Sequence, residues 1–153
     1  MTLDETDRAI LAALQRDATQ TAAALGGRIG LSQPATWRRI KRLREAGILA
    51  GQRVSLDAEK LGFGVTVFLG VKLATKGRVS LDDFERAVTA IPEVQLVEHV
   101  LGLYDYRLRV VARDLADFER VLRRRVMTLP GVGDVEANVL LSEERRAGPI
   151  AQA

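Results

Sequence analysis

Apolar residues recur with a helical period from about Asp4 to Gln15, where Ala9, Ile10, Ala13 and Leu14 fall on one face. Thr2 and Glu5 have the spacing of a capping box at its start. Thr21 can cap a second helix, Ala22 to Ile29, and Gly30-Leu31 then forms a tight turn into Ser32. A third helix follows. Ser32 is its N-cap, Pro34 sits in the first turn where a missing N–H costs nothing, and Gly47 ends it as a left-handed C′ residue. Within it Trp37, Ile40 and Leu43 recur at three-residue spacing as one apolar stripe. The three helices are expected to share a core of Ile10, Leu14, Leu25, Ile29, Leu31, Trp37, Ile40 and Leu43. Trp37 is assigned to that core because a lone aromatic at helical spacing packs inward more often than it stacks on a base. Two helices joined by a short turn containing Gly form the helix-turn-helix pattern. Ile48 to Leu56 then reads as a short β-ribbon, the wing of a winged helix.

Beyond Gly64 the period changes. Val65 to Leu73 alternates, with Val67, Leu69, Val71 and Leu73 on one side and Phe68 on the other. Ser80 is expected to cap a helix over Leu81 to Ala90, with Phe84, Val88 and Ile91 inward and Pro92 preventing continuation. Val94 to Leu101 and Tyr106 to Ala112 are strands of a hairpin around Gly102-Leu103-Tyr104-Asp105. Asp114 caps a helix over Leu115 to Thr128, Pro130-Gly131 stops it, and Val132 to Leu141 is the last strand. The fold class is α+β: an N-terminal winged helix-turn-helix joined to a ferredoxin-like β-α-β-β-α-β domain. The divisions are residues 1–57 for the first domain, 58–64 for a hinge, 65–144 for the second domain and 145–153 for a tail. Helices on one sheet face leave the other, with Phe68 and Leu140, in need of a cover. A second copy of the chain is the simplest one.

Charge sharpens the first half. The third helix carries five cations, Arg38, Arg39, Lys41, Arg42 and Arg44, beside its apolar stripe. A cationic helix face is often only solvated, but one that follows a turn and precedes a wing reads as a DNA recognition helix. Lys and Arg outnumber Asp and Glu by 10 to 7 through Lys60, and from Leu61 the counts are 13 and 13. The excess cation therefore belongs to the DNA-binding part. Ser32, Gln33 and Thr36, in the first turns, are candidates for direct base reading, with Gln33 suited to adenine and Arg38 to guanine. Arg39, Lys41, Arg42, Arg44 and, from the wing, Arg53 are candidates for phosphates, which position without specifying.

Composition excludes several other classes. With 153 residues and 47% hydrophobic residues the chain can form a core, and no apolar run approaches the roughly 18 residues of a membrane span. It has no Cys and one His, so disulfides and thiolate metal sites are excluded, and Asp4, Glu5 and Asp7 replace the basic start of a secretory signal. A cytoplasmic protein without metal or cofactor is expected. Glu98-His99 and Asp105 lack a nearby nucleophile motif, Arg123-Arg124-Arg125 point different ways around a helix, and Gly26-Gly27 and Gly62-x-Gly64 do not join a strand to a helix as a dinucleotide fingerprint must. No catalytic constellation emerges, so an enzyme is not expected.

LDETDRAILAALQRDA at Leu3 to Ala18, GLSQPATWRRIKRLREAGIL at Gly30 to Leu49, GLYDY at Gly102 to Tyr106 and LPGV at Leu129 to Val132 together resemble the Lrp/AsnC family, the leucine-responsive or feast/famine transcriptional regulators. The likeness runs from Leu3 to about Glu144. It implies a DNA-reading unit over Ala22 to Lys41, a homodimer joined through the sheets with further assembly commonly to octamers, and an amino-acid effector bound between C-terminal domains. A two-fold dimer implies a palindromic operator with half-sites about one or two helical turns apart. The effector region falls on Gly102, Leu103, Tyr104 and Asp105 and on Val135 and Ala137 of the last strand. Family members often have an acidic or amide residue where this chain has Leu103, and threonines at Val135 and Ala137. An amino acid's charged ends need polar partners when buried. These departures imply a different effector, a pocket built more from backbone, or an architectural DNA-organising protein with no effector.

Overall fold

A computed structural model describes residues 2–74 and 78–144, apart from the side chains of 78–80. The expected tail, 145–153, lies outside the described residues. The chain divides into two compact units, Met1–Ser55 and Leu56–Glu143.

The first unit holds α1 (Glu5–Arg16), α2 (Ala22–Ile29) and α3 (Gln33–Glu45). Asp4, not Thr2, caps α1: its side chain accepts from Asp7 N–H at 2.7 Å, and Asp7 accepts in return from Asp4 N–H at 3.3 Å. The expected box had the right spacing two residues too early. Thr21 and Ser32 cap α2 and α3 by accepting from Ala24 and Ala35, and Gly47 has the left-handed φ of +71°. Ile10, Leu11, Leu14, Leu25, Ile40 and Leu43 form the core, with Ile29 partly buried against it. Gly26 lets α2 approach the start of α3, since a Cβ there would lie 2.6 Å from Leu31 O and 2.7 Å from Thr36 Oγ1.

Expectations for Trp37, Thr36 and residues 48–56 fail here. Trp37 is 54% exposed, and Thr36, expected to face DNA, is fully buried instead. The inward stripe is therefore Thr36, Ile40 and Leu43, whose i, i+4, i+7 spacing follows the helical period more closely than a run of threes. Nor does a ribbon form over 48–56, where no residue is in a strand. That segment is tied instead by Gln52 Nε2 donating to Ala18 O at 2.6 Å.

In the second unit the expected hinge, 58–64, begins as a compact turn, with Leu61 N–H donating to Asp57 O and Phe63 N–H to Ala58 O. The sheet order is β2 (Val94–His99), β3 (Tyr106–Ala112), β1 (Val65–Leu73), β4 (Val132–Val139), all antiparallel, with α4 (Arg78–Thr89) and α5 (Leu115–Val121) between strands. Ser80 stands inside α4 instead of capping it. Val67, Leu69, Val71, Tyr106, Leu108 and Val110 pack with Phe84, Val88, Phe118 and Val126. The opposite face presents Phe68, Arg107, Arg109 and Glu136.

The expected long helix after Asp114 is α-helical only through Val121 and continues as one π-turn, Leu122–Val126, in which Met127 N–H donates to Leu122 O at 2.9 Å. Val121 and Val126 are both buried but five residues apart. A regular α-helix would turn them to different sides, and the wider turn brings both to the core. Periodicity at 3.6 residues could not reveal it.

Candidate nucleic-acid interface

The N-terminal turn of α3 is built to be presented. Ser32 fixes its first N–H groups, Gly26 sets its approach to α2, and Ile40 and Leu43 hold it to the core. Ser32, Gln33, Pro34, Trp37, Arg38, Lys41 and Arg44 are exposed. Lys41 makes one loose pair with Glu45 at 3.7 Å. Arg38 and Arg44 have no acidic partner among the described residues, so the outward row carries uncompensated positive charge.

The other two cations of the helix are committed inward. Arg39 Nη1 donates to Asp7 Oδ1 at 2.8 Å and to Asp4 Oδ2 at 2.7 Å, and Arg42 Nη2 donates to Asp7 Oδ2 at 2.6 Å. The Asp7 side chain is wholly buried, whereas those of Arg39 and Arg42 remain 28% and 50% exposed. Arg39 beside it holds the Asp4 carboxyl below its ordinary value, aided by the Asp7 N–H. Both Asp7 oxygens are satisfied, as burial of a carboxylate requires. The five expected DNA-facing cations of α3 thus separate into an outward group, Arg38, Lys41 and Arg44, and a stapling pair, Arg39 and Arg42.

The sequence assigns Asp4 and Asp7 no role beside α3, although the signal was there. Asp7, Ile10 and Leu14 share one face of α1, and an acidic residue on an inward face calls for cations opposite. Arg53 is exposed within the non-regular 48–56 segment. Thr36 is removed from the base-reading set: its hydroxyl donates to Ser32 O at 3.0 Å inside the helix.

The GLYDY loop makes a second site. Asp105 N–H donates to Val71 O, and Asp105 Oδ2 accepts from Leu73 N–H, each at 2.9 Å, so the loop is sewn to β1. The Tyr104 ring lies over Gly70, where a Cβ would come within 2.5 Å of it. Its hydroxyl donates to Glu136, which raises the phenol's proton affinity and lowers the carboxyl's, and Asn138 Nδ2 also donates to Glu136. A cavity of about 260 Å³ is lined here by Gly70, Leu103, Tyr104, Arg107 and Asn138 among others.

Val135 and Ala137 do not join this cavity. They pair with Val71 and Leu69 on the helix-covered face, while Glu136 and Asn138 pair with Gly70 and Phe68 on the open face. Alternation along a strand puts neighbours on opposite sides, so Glu136 and Asn138 take the open face in place of Val135 and Ala137, and of the two Asn138 lines the cavity. Gly102, exposed, does not line the cavity. Glu98 and His99 also point apart: Glu98 pairs with Arg107 at 2.7 Å, and His99 stacks on the buried Tyr106 ring at 4.8 Å. Tyr106 donates to Glu85 at 2.7 Å, and burial raises its pKa.

Comparison with known proteins identifies both domains. Residues 3–44 match the AsnC-type helix-turn-helix domain and residues 66–150 match the Lrp/AsnC ligand binding domain. The DNA-binding transcriptional activator DecR of Escherichia coli is 36% identical over 141 residues, covering 92% of this chain and 93% of its own. The transcriptional regulator AzlB of Bacillus subtilis is 35% identical over 144 residues, covering 94% and 92%. A crystal structure of a Neisseria meningitidis transcriptional regulator in complex with L-Met superposes with a TM-score of 0.90 at 29% identity, covering 98% of this chain and 97% of that one. These relatives are regulators, not enzymes, and no helix among the described residues is long and apolar enough to cross a membrane. The chain belongs to the Lrp/AsnC family of DNA-binding transcriptional regulators.

Proposed function

We propose that this regulator works in the cytoplasm as a homodimer or larger assembly, such as an octamer, reads a palindromic operator through α3, and changes its DNA binding when an amino acid occupies the C-terminal domain. The observation that carries the DNA part is the sorting of the α3 cations. Gln33 and Ser32 stand at the end of the helix that enters the groove, Arg38 is one turn on, and Lys41, Arg44 and Arg53 are free to meet phosphates. Arg39 and Arg42 act first as ties to Asp7. Residues 1–57 are the reading module, 58–64 the connection, and 65–144 the sensing and assembling module. Phe68 and the exposed Leu96 on the open sheet face support its coverage by a second copy.

The amino-acid part is supported by the cavity at Tyr104, whose lining includes the polar side chains Arg107 and Asn138, and by the L-Met complex of the Neisseria relative. The polar partner missing at Val135 and Ala137 is supplied in the cavity by Asn138, which weakens the effector-free alternative.

Selection of bound sequences from random DNA, with and without an amino-acid pool, tests the whole reading. A palindromic half-site whose enrichment depends on the pool is expected. Gln33→Ala should then cost roughly 1–3 kcal/mol at one base pair only, whereas Lys41→Ala weakens all sequences alike. No enriched sequence, or equal losses for both variants on operator and random DNA, would sink operator reading.

A further inference from the structure

Trp37 is the chain's sole tryptophan and stands 54% exposed on a helix whose other face is closed over a core. Gln33, Trp37 and Lys41 follow one another at four-residue spacing, which makes them one outward row. Lys41 Nζ lies 5.5 Å from the indole centroid, and Gln33, Pro34, Trp37 and Arg38 line a shallow hollow on the same side. A large apolar ring left in water calls for a cover. That cover must also tolerate Arg38, Lys41 and Arg44 around it, which favours a polyanion over an apolar protein surface. In the major groove of duplex DNA, the apolar group a polyanion offers is the 5-methyl of thymine.

We propose that Trp37 is a specificity-determining residue that packs its indole against the 5-methyl group of one thymine in each operator half-site. The proposal rests on the reading of α3 as the recognition helix. Gln33 precedes it by one turn and is suited to adenine, so the pair would read neighbouring steps of an A·T-containing half-site. Lys41, held beside the ring, carries the charge that keeps the indole against the duplex.

The test replaces each thymine of a selected operator half-site by deoxyuridine, which removes the methyl group alone, and measures binding of the native full chain, Trp37→Ala and Trp37→Phe. One replacement is expected to weaken the native protein about fourfold, the worth of one buried methyl group. The same replacement should leave Trp37→Ala unaffected and weaken Trp37→Phe by less. Indole emission should change on operator more than on random DNA. Native insensitivity to every replacement, or the same sensitivity in Trp37→Ala, overturns the proposal while salt-dependent operator binding leaves the recognition reading standing. Native protein that binds no DNA at low salt overturns both. Should Trp37→Ala fail to fold, the native and Trp37→Phe measurements still decide the matter. A change of assembly mass in Trp37→Ala with methyl sensitivity intact would assign the ring to a protein contact and overturn the proposal.

Discussion

Asp7→Asn is the sharpest perturbation of the recognition module. The substitution keeps the volume of a wholly buried side chain and removes its charge, so packing is untouched while the hydrogen bonds to Arg39 at 2.8 Å and Arg42 at 2.6 Å lose their ionic character. A hydrogen bond to a charged group is worth about 1.5–3 kcal/mol, and breaking a fully buried ion pair costs about 3–5 kcal/mol. Here the two guanidiniums are 28% and 50% exposed, so water can take them back, and the amide oxygen can still accept one bond. The expected loss is about 2 kcal/mol, some 8–16 °C in Tm for a module of this size. The assay is thermal and urea unfolding followed by fluorescence, since the sole tryptophan lies in α3 and reports this unit alone. Asp7→Asn and Arg42→Met should be less than additive, because both break the same bond. A loss under about 0.5 kcal/mol, with full additivity, would place the cluster among ordinary surface pairs and refute the staple.

Other consequences follow from the same geometry. Lys41→Met or Arg44→Met should flatten the salt dependence of DNA binding by about one unit of slope each, whereas Arg39→Met should lower stability more than slope, as fluorescence anisotropy at several salt concentrations would show. Gly26→Ala should cost about 1–3 kcal/mol in urea unfolding, because the new Cβ meets the Leu31 carbonyl at 2.6 Å and backbone yields little. The Asp4 carboxyl, held below its ordinary 3.8 by Arg39, contributes stability that is present above that value and lost as pH falls through the lower folded pKa; Asp4→Asn should therefore flatten the acid limb of the Tm–pH curve. Saturation at 100 times its Kd with the amino acid that alters operator selection should add about 2.7 kcal/mol in a thermal-shift assay, and Gly70→Ala, which displaces the Tyr104 ring, should abolish that shift while the protein stays folded.

Much of the fold was legible because it rests on local signals. The caps at Thr21 and Ser32 and the left-handed Gly47 mark helix ends by the hydrogen-bonding geometry of single residues, and the alternation in Val65–Leu73 and Tyr106–Ala112 assigns strand faces by a period of two. What the sequence concealed depends on partners far along the chain. Thr36 is inward because Gly26, on another helix, leaves it room, and that turns Trp37 outward. The π-turn exists because the sheet asks for both Val121 and Val126.

The candidate sites show the same limit in chemical form. From the sequence, five cations beside an apolar stripe look equivalent, because each is the same kind of group on the same helix. They become distinct only once Asp7 is seen buried 32 and 35 residues upstream in contact with Arg39 and Arg42. A buried carboxylate must take its cations from somewhere, and the helix that packs across it is the available source. The cations that remain outward are therefore those to which folding assigns no other task, and they flank the exposed Gln33 and Trp37. At the GLYDY loop the equivalent step is register: once Gly70 pairs with Glu136, the polar side chains of β4, Glu136 and Asn138, fall on the open face, one residue away from the apolar positions that had argued against an effector.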